Sequence, residues 1–139
     1  MTMSSTAVPT DEHRPTGRPT HRVEFYGADG ARRVLRPARP ADVRAIAELV
    51  RPYAERRVLI AKDLIAYFED IQEFTVAECA VSLDGTWEKP DGIIGCGALH
   101  VMWDDIAEVR TLAVRKDCLN RGVGGAILGE LLERARVLG

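Results

Sequence analysis

Residues 107–139 change their apolar period twice within a short span. "AEVRTLAV" is nearly continuously apolar after Arg110, as expected of a strand covered on both faces. "LNRGVGGAIL" then packs three glycines, Gly122, Gly124 and Gly125, into four positions. Beyond them the pattern is helical, with Val123, Ile127, Leu128, Leu131, Leu132 and Ala135 predicted to line one apolar face. Glycine costs backbone entropy, so a cluster at the threshold of a helix needs a reason. A helix N-terminus presents N–H groups without intrahelical partners and carries partial positive charge. Glycines there let a phosphate reach the backbone with no Cβ in the way, and Arg121 adds a charge that pairs with phosphate. Tight packing of the helix on the preceding strand is the competing reason for the same glycines. A P-loop is excluded because no Lys-Ser or Lys-Thr follows them, and a Rossmann loop because the run is G-x-G-G with no acid about twenty residues on.

The rest of the chain is read as support for that unit. Residues 1–20 are rich in Pro, Thr and Ser without apolar period, and are expected to form a disordered tail. Residues 21–33 hold an extended hairpin segment around Asp29-Gly30, and a folded domain is expected over 34–139, beginning with the strand Val34 to Pro37. "PADVRAIAELVRPYAERR" predicts a helix that starts at Pro40 and ends or kinks at Pro52. "LIAKDLIAYFEDIQEF" predicts a second helix with Ile60, Leu64, Tyr67, Phe68 and Ile71 as its apolar stripe. "FTVAECAV" and "GIIGCGALHVMW" predict strands, the latter with small residues at its centre, and "LDGTWEKPDG" a loop between them. The predicted order is two strands, two helices, three strands, the glycine loop and a helix.

Composition narrows the class. The chain has 139 residues, 46% hydrophobic, with net charge -2, enough for one modest core and without the basic excess of a nucleic-acid binder. No apolar run is long enough to span a bilayer and no signal-peptide pattern opens the chain, so a cytoplasmic protein without membrane partners is expected. Cys79, Cys96 and Cys118 lack C-x-x-C spacing and His13, His21 and His100 are scattered, so no metal site is expected. Cys96, between glycines in an apolar strand, reads as a small buried residue. His100 reads either as a base or as a satisfied structural histidine, and Trp87 and Trp103 as loop or packing residues. Glu108 and Arg110 lie two apart on one strand, so their side chains share a face. They pair with each other in a salt bridge, or they serve a substrate.

The stretch "EVRTLAVRKDCLNRGVGGAILGELLERA" resembles the acetyl-coenzyme A motif of the GNAT superfamily of N-acetyltransferases, [Q/R]-x-x-G-x-[G/A] after an apolar strand triplet. The triplet is Leu112-Ala113-Val114, and the loop matches as Leu119-Asn120-Arg121-Gly122-Val123-Gly124, with Leu119 standing where the family usually has Gln or Arg. "RPARPADVRAIAELV", "EFTVAE" and "GCGALHVMWDDIAEVRTLAV" are similar to the amino-acid N-acetyltransferases that make N-acetylglutamate, in their short bacterial form. The resemblance covers about residues 34 to 139. It implies a mixed, mostly antiparallel α/β sheet flanked by helices, with C-terminal strands missing. It implies direct acetyl transfer from acetyl-CoA to the α-amine of an amino acid, most simply L-glutamate in arginine biosynthesis. The backbone of Leu112, Ala113 and Val114 would hold the pantetheine arm, with an N–H near Leu112 at the thioester oxygen. Asn120, Arg121, Gly122, Val123, Gly124 and Gly125 would hold the phosphates. Glu108 would accept a proton through water, and Arg110 and Lys62 would hold the substrate carboxylates.

The family's fold continues beyond a third helix, whereas the sequence stops at Gly139. A bare apolar edge at the strand over 106–114 is then expected, with turnover near background and either homo-oligomers or an unstable monomer. A non-catalytic remnant that binds a partner or cofactor through that edge is the other expectation.

Overall fold

A computed structural model describes residues 22–27, 30–56, 63–79 and 92–139. The second helical stripe's Ile60, together with Lys62, Trp87, His13, His21 and Asp29, lies outside those residues. Five strands form one sheet in the order β1-β2-β3-β4-β5, antiparallel throughout: β1 (Val23–Tyr26), β2 (Arg32–Pro37), β3 (Phe74–Cys79), β4 (Ile93–Val101) and β5 (Ala107–Val114). Helices α1 (Val43–Glu55) and α2 (Leu64–Glu69) cover one face, and α3 (Val123–Leu138) covers the other. The element order is the one the periodicity predicts. Among the described residues no helix is long and apolar enough to cross a membrane.

Alternation along the strands sorts side chains between two cores. Phe74, Val76, Cys96, Ala98 and Ala113 face α1 and α2, where they meet Val43, Ile46, Leu49, Val50 and Tyr67. Leu35, Ala77, Ile94, Leu99 and Val114 face Val123, Ile127 and Leu131 of α3. The small centre of β4 is what lets α3 sit down. A Cβ at Gly95 would stand 2.8 Å from Ile127 Cδ1, and one at Gly97 would stand 2.8 Å from Ile127 Cγ2 and 3.0 Å from Leu131 Cδ1.

Three local differences from the sequence expectation have physical causes. Pro52 does not end α1, which runs to Glu55, and the Pro52 carbonyl still accepts from the Arg56 N–H at 3.3 Å. Described α2 is only six residues long; a 3-10 turn over Ile71–Glu73 leads straight into β3, so of its predicted stripe Tyr67 and Ile71 are buried while Leu64 and Phe68 stay exposed. On α3 the predicted face splits: Val123, Ile127 and Leu131 are buried on the sheet, whereas Leu128 and Leu132 are exposed. A single sheet covers a stripe about one residue wide on each helical turn, and the flanking leucines fall outside it.

At the β2 end of the sheet a buried ionic network ties α1 down. Arg36 forks onto Asp42 through Nη1 and Nη2 at 2.7 and 3.0 Å; Nε and Nη2 reach Glu78 at 3.2 and 3.3 Å, and Nη1 also donates to the Pro37 carbonyl at 3.2 Å. Asp42 also accepts the Arg39 backbone N–H at 2.8 Å, which fixes the turn into α1. Burial alone would push the Asp42 carboxyl up, but the Arg36 and Arg39 hydrogen bonds hold it below the ordinary carboxylate value.

Candidate functional site

The site is built where β5 leaves the sheet. Strand β4 pairs Cys96 with Ala113 and Ala98 with Arg110, so Gly97 alone stands opposite both Thr111 and Leu112. This is a β-bulge, and Thr111 sits in it with φ +54°. The left-handed region is unfavourable for a β-branched residue, and strain of this kind costs about 1–3 kcal/mol and gathers at functional sites. The bulge is held by the Cys96 thiol, which donates to the Thr111 carbonyl at 3.4 Å. It keeps Arg110 and Ala113 on the α1 face while Leu112 and Val114 turn to α3. The signal for it in the sequence is Gly97, since glycine inside a strand marks a bulge or a close approach, and here it marks both.

Beyond the bulge the strand edge is open. The Arg115 N–H donates to the Ile94 carbonyl at 2.7 Å, and Val114 lies opposite Gly95. Val114 and Gly95 are therefore a pair without mutual hydrogen bonds, and the N–H and C=O of Val114 point away from β4. The Tyr53 hydroxyl comes across from α1 and donates to that Val114 carbonyl. A cleft of about 490 Å³ lies alongside, between Tyr53, Pro52 and Leu49 of α1 and Ile93, Arg115 and Lys116 at the strand ends.

The chain then turns through a 3-10 turn, Lys116–Cys118, clamped by the Arg115 guanidinium on Asp117 at 2.6 Å. That hydrogen bond holds the exposed Asp117 carboxyl below its usual range, and burial pushes the Cys118 thiol up. Asn120 (φ +61°) and Gly122 (φ +83°) reverse the backbone, and Gly122 caps α3. The first intrahelical bond runs from the Ala126 N–H to the Gly122 carbonyl at 3.0 Å, so the N–H groups of Val123, Gly124 and Gly125 have no acceptor within the helix. The three glycines differ in purpose. Gly122 supplies the left-handed φ. A Cβ at Gly124 would rest 3.6 Å from Val114 Cγ2, the ordinary contact of a helix packed on a strand. A Cβ at Gly125 would meet nothing within 4 Å. The packing reason for the glycine loop therefore applies at Gly124 and not at Gly125.

Glu108 and Arg110 share the α1 face, as expected, and Arg110 Nε donates to Glu108 Oε2 at 2.9 Å within the strand. Both are partly exposed, at 49% and 34% of their side chains. His100, opposite Glu108 on β4, binds Glu73 Oε1 through Nδ1 at 2.8 Å. Cys96 is fully buried, and Trp103 is an exposed turn residue. Among the described residues no group of three or more His, Cys, Asp or Glu side chains is arranged to hold a metal ion.

This strand, bulge, glycine turn and helix can be compared with known proteins. An amino-acid acetyltransferase of Mycobacterium tuberculosis is 44% identical over 110 residues, which are 77% of this chain and 57% of that protein. The chain thus spans little more than half of that relative. The crystal structure of Rv2747 from Mycobacterium tuberculosis, in complex with CoA and a second ligand, NLQ, matches 75% of this chain and 58% of that one, with TM-score 0.63 and 42% identity. N-acetylglutamate synthase from Neisseria gonorrhoeae, complexed with coenzyme A and N-acetyl-glutamate, matches 77% of this chain and 23% of its own, with TM-score 0.66 and 29% identity. A family profile matches residues 43–139, and the chain belongs to the acetyltransferase (GNAT) family.

Proposed function

We propose that the protein transfers an acetyl group from acetyl-CoA to the α-amine of an amino acid, with L-glutamate as acceptor and arginine biosynthesis as the setting, in the cytoplasm. The observation that carries this reading is the bulged, open-edged strand β5 running into a glycine-capped helix. Its parts suit the two ends of an acyl thioester. The N–H groups from Arg121 to Gly125, with Asn120 shaping the turn, bind the pyrophosphate at the positive end of α3. The β5 segment Leu112, Ala113 and Val114, through the outward N–H and C=O of Val114, accepts the pantetheine arm as an added strand. The bulge frees an N–H near Leu112 to stabilise charge on the thioester oxygen as the amine adds. Glu108 takes a proton from the amine through water, and Arg110 leaves Glu108 to grip a substrate carboxylate in bidentate fashion. Lys62 holds the second carboxylate.

Calorimetric titration with acetyl-CoA tests the phosphate site. Gly125→Val places a side chain over the first turn of α3 without touching the fold, and is expected to weaken binding tenfold or more; unchanged affinity would sink the site. Turnover is followed by thiol release, in the protein and in a fusion that carries after Gly139 the part of the mycobacterial relative beyond the matched segment. Arg110→Ala is expected to raise KM for glutamate far more than KM for acetyl-CoA, and a better polyamine or aminoglycoside acceptor would remove the assignment. The second reading, a non-catalytic domain that docks through the β5 edge, is favoured by the exposed Leu128, Leu132, Val137 and Leu138 on α3. It predicts no thiol release with any amine in either form.

A further inference from the structure

We propose that His100, oriented by Glu73, is the terminal proton acceptor for the attacking amine. The proposal rests on the acetyl-transfer reading above. Three observations carry it. Glu73 Oε1 lies 2.8 Å from His100 Nδ1. A carboxylate only accepts hydrogen bonds, so Nδ1 is the protonated nitrogen and Nε2 of the neutral ring keeps its lone pair. Among the described residues Nε2 has no protein partner, and the side chain is one-third exposed, at 33%. Second, His100 stands directly opposite Glu108 across the β4–β5 pair, which puts their Cβ atoms about 4.5–5.5 Å apart on the same face. Third, the backbone of the turn that carries Glu73 is fixed. Arg134 of α3 reaches under the sheet and donates to the Glu73 carbonyl at 3.0 Å, to Thr75 Oγ1 at 3.1 Å and to the Gln72 carbonyl at 3.2 Å.

The charged groups that face His100 are Glu73 from the turn after α2, and Glu108 and Arg110 from β5. Glu108 is held by Arg110 in the protein without substrate, which makes it a weak base until Arg110 turns to a carboxylate. Among the described residues no cation is paired with His100. In the step, an ammonium proton passes through water to Glu108, which Arg110 has released, and on from Glu108 to His100 Nε2. The freed nitrogen lone pair forms the C–N bond, and the C–S electron pair leaves with sulfur. The thiolate takes the second proton of the nitrogen, and the imidazolium returns its own proton to solvent. The acetyl-CoA thioester supplies the leaving group and no redox partner is needed.

The first test reads the resting protein. Long-range 1H–15N spectra, assigned with His100→Gln, are expected to show the Nδ1–H tautomer for His100 and a shift to the mixed or Nε2–H form in Glu73→Ala. Glu73→Ala keeps the turn in place because Arg134 binds its backbone. The second test uses turnover in the protein and in the fusion. His100→Gln is expected to lower kcat about 10- to 100-fold with KM for both substrates nearly unchanged, and to flatten the acid limb of the pH profile; Glu73→Ala is expected to give a smaller loss. A wild-type Nε2–H tautomer, or a His100→Gln enzyme with intact kcat and pH profile, overturns the proposal while leaving acetyl transfer standing. Absence of transfer to any amino acid by the wild type overturns both.

Discussion

The sheet carries the same chemistry at its two ends and uses it differently. At β2, Arg36 meets Asp42 and Glu78 with side chains 4%, 10% and 17% exposed, and its donors are taken up by those carboxylates and a carbonyl. At β4 and β5, Arg110 meets Glu108 through one hydrogen bond with side chains 34% and 49% exposed, and His100 meets Glu73 through one nitrogen. A saturated, buried arginine has nothing left to offer a ligand, and breaking it leaves an uncompensated charge. A half-exposed pair with spare donors loses little when a substrate carboxylate replaces its partner. Burial and unused hydrogen-bonding capacity, rather than the identity of the charges, separate the strut from the site.

The comparison can be broken most severely at the buried end. Asp42→Ala is expected to cost about 3 kcal/mol, lowering Tm by roughly 10 °C. Because the folded-state carboxyl titrates below its unfolded value of about 3.9, its contribution is complete above that value and fades as pH falls through the lower folded one. The gap in Tm between parent and variant should therefore narrow below about pH 4; a gap independent of pH would remove the electrostatic account. Gly97→Ala comes next. Its Cβ would press on Ile127 Cγ2 at 2.8 Å, Leu131 Cδ1 at 3.0 Å and Leu112 Cδ1 at 3.2 Å, and overpacking of this kind costs about 1–3 kcal/mol. Chemical denaturation at constant m-value checks it, and a neutral variant would show that α3 floats rather than packs. The smallest effect is expected at the open end. Glu108→Gln should change stability by less than about 1 kcal/mol while it lowers turnover, and a large loss of stability would place this pair with the struts.

The order of elements was legible because each helix and strand keeps its own apolar period. The glycine turn into α3 was legible because glycines at a helix start stand against propensity. Thr111 hid the bulge: a β-branched residue in an apolar run reads as ordinary strand, and only the register opposite Gly97 reveals the extra residue. The Glu73–His100 pair joins residues 27 apart in sequence, and no local pattern announces a partner at that distance. The exposure of Leu128 and Leu132 was equally out of reach, since periodicity defines a stripe but not the width of the surface that covers it. Lys62 lies outside the described residues, and its part in substrate binding stands on resemblance.

The strand order of the sheet is the order of the chain. Every strand therefore adds beside the one before it, and α3 folds back across the sheet, chiefly onto β4 and β5 and also onto β3 and β2. The β1–β2 and β4–β5 connections are short, so those pairings close at low entropic cost, whereas β2 and β3 pair across α1 and α2. Such a sheet can grow in the direction of synthesis, its edge moving outward one strand at a time, with β5, the strand proposed to receive the ligand, laid down after the other four described strands.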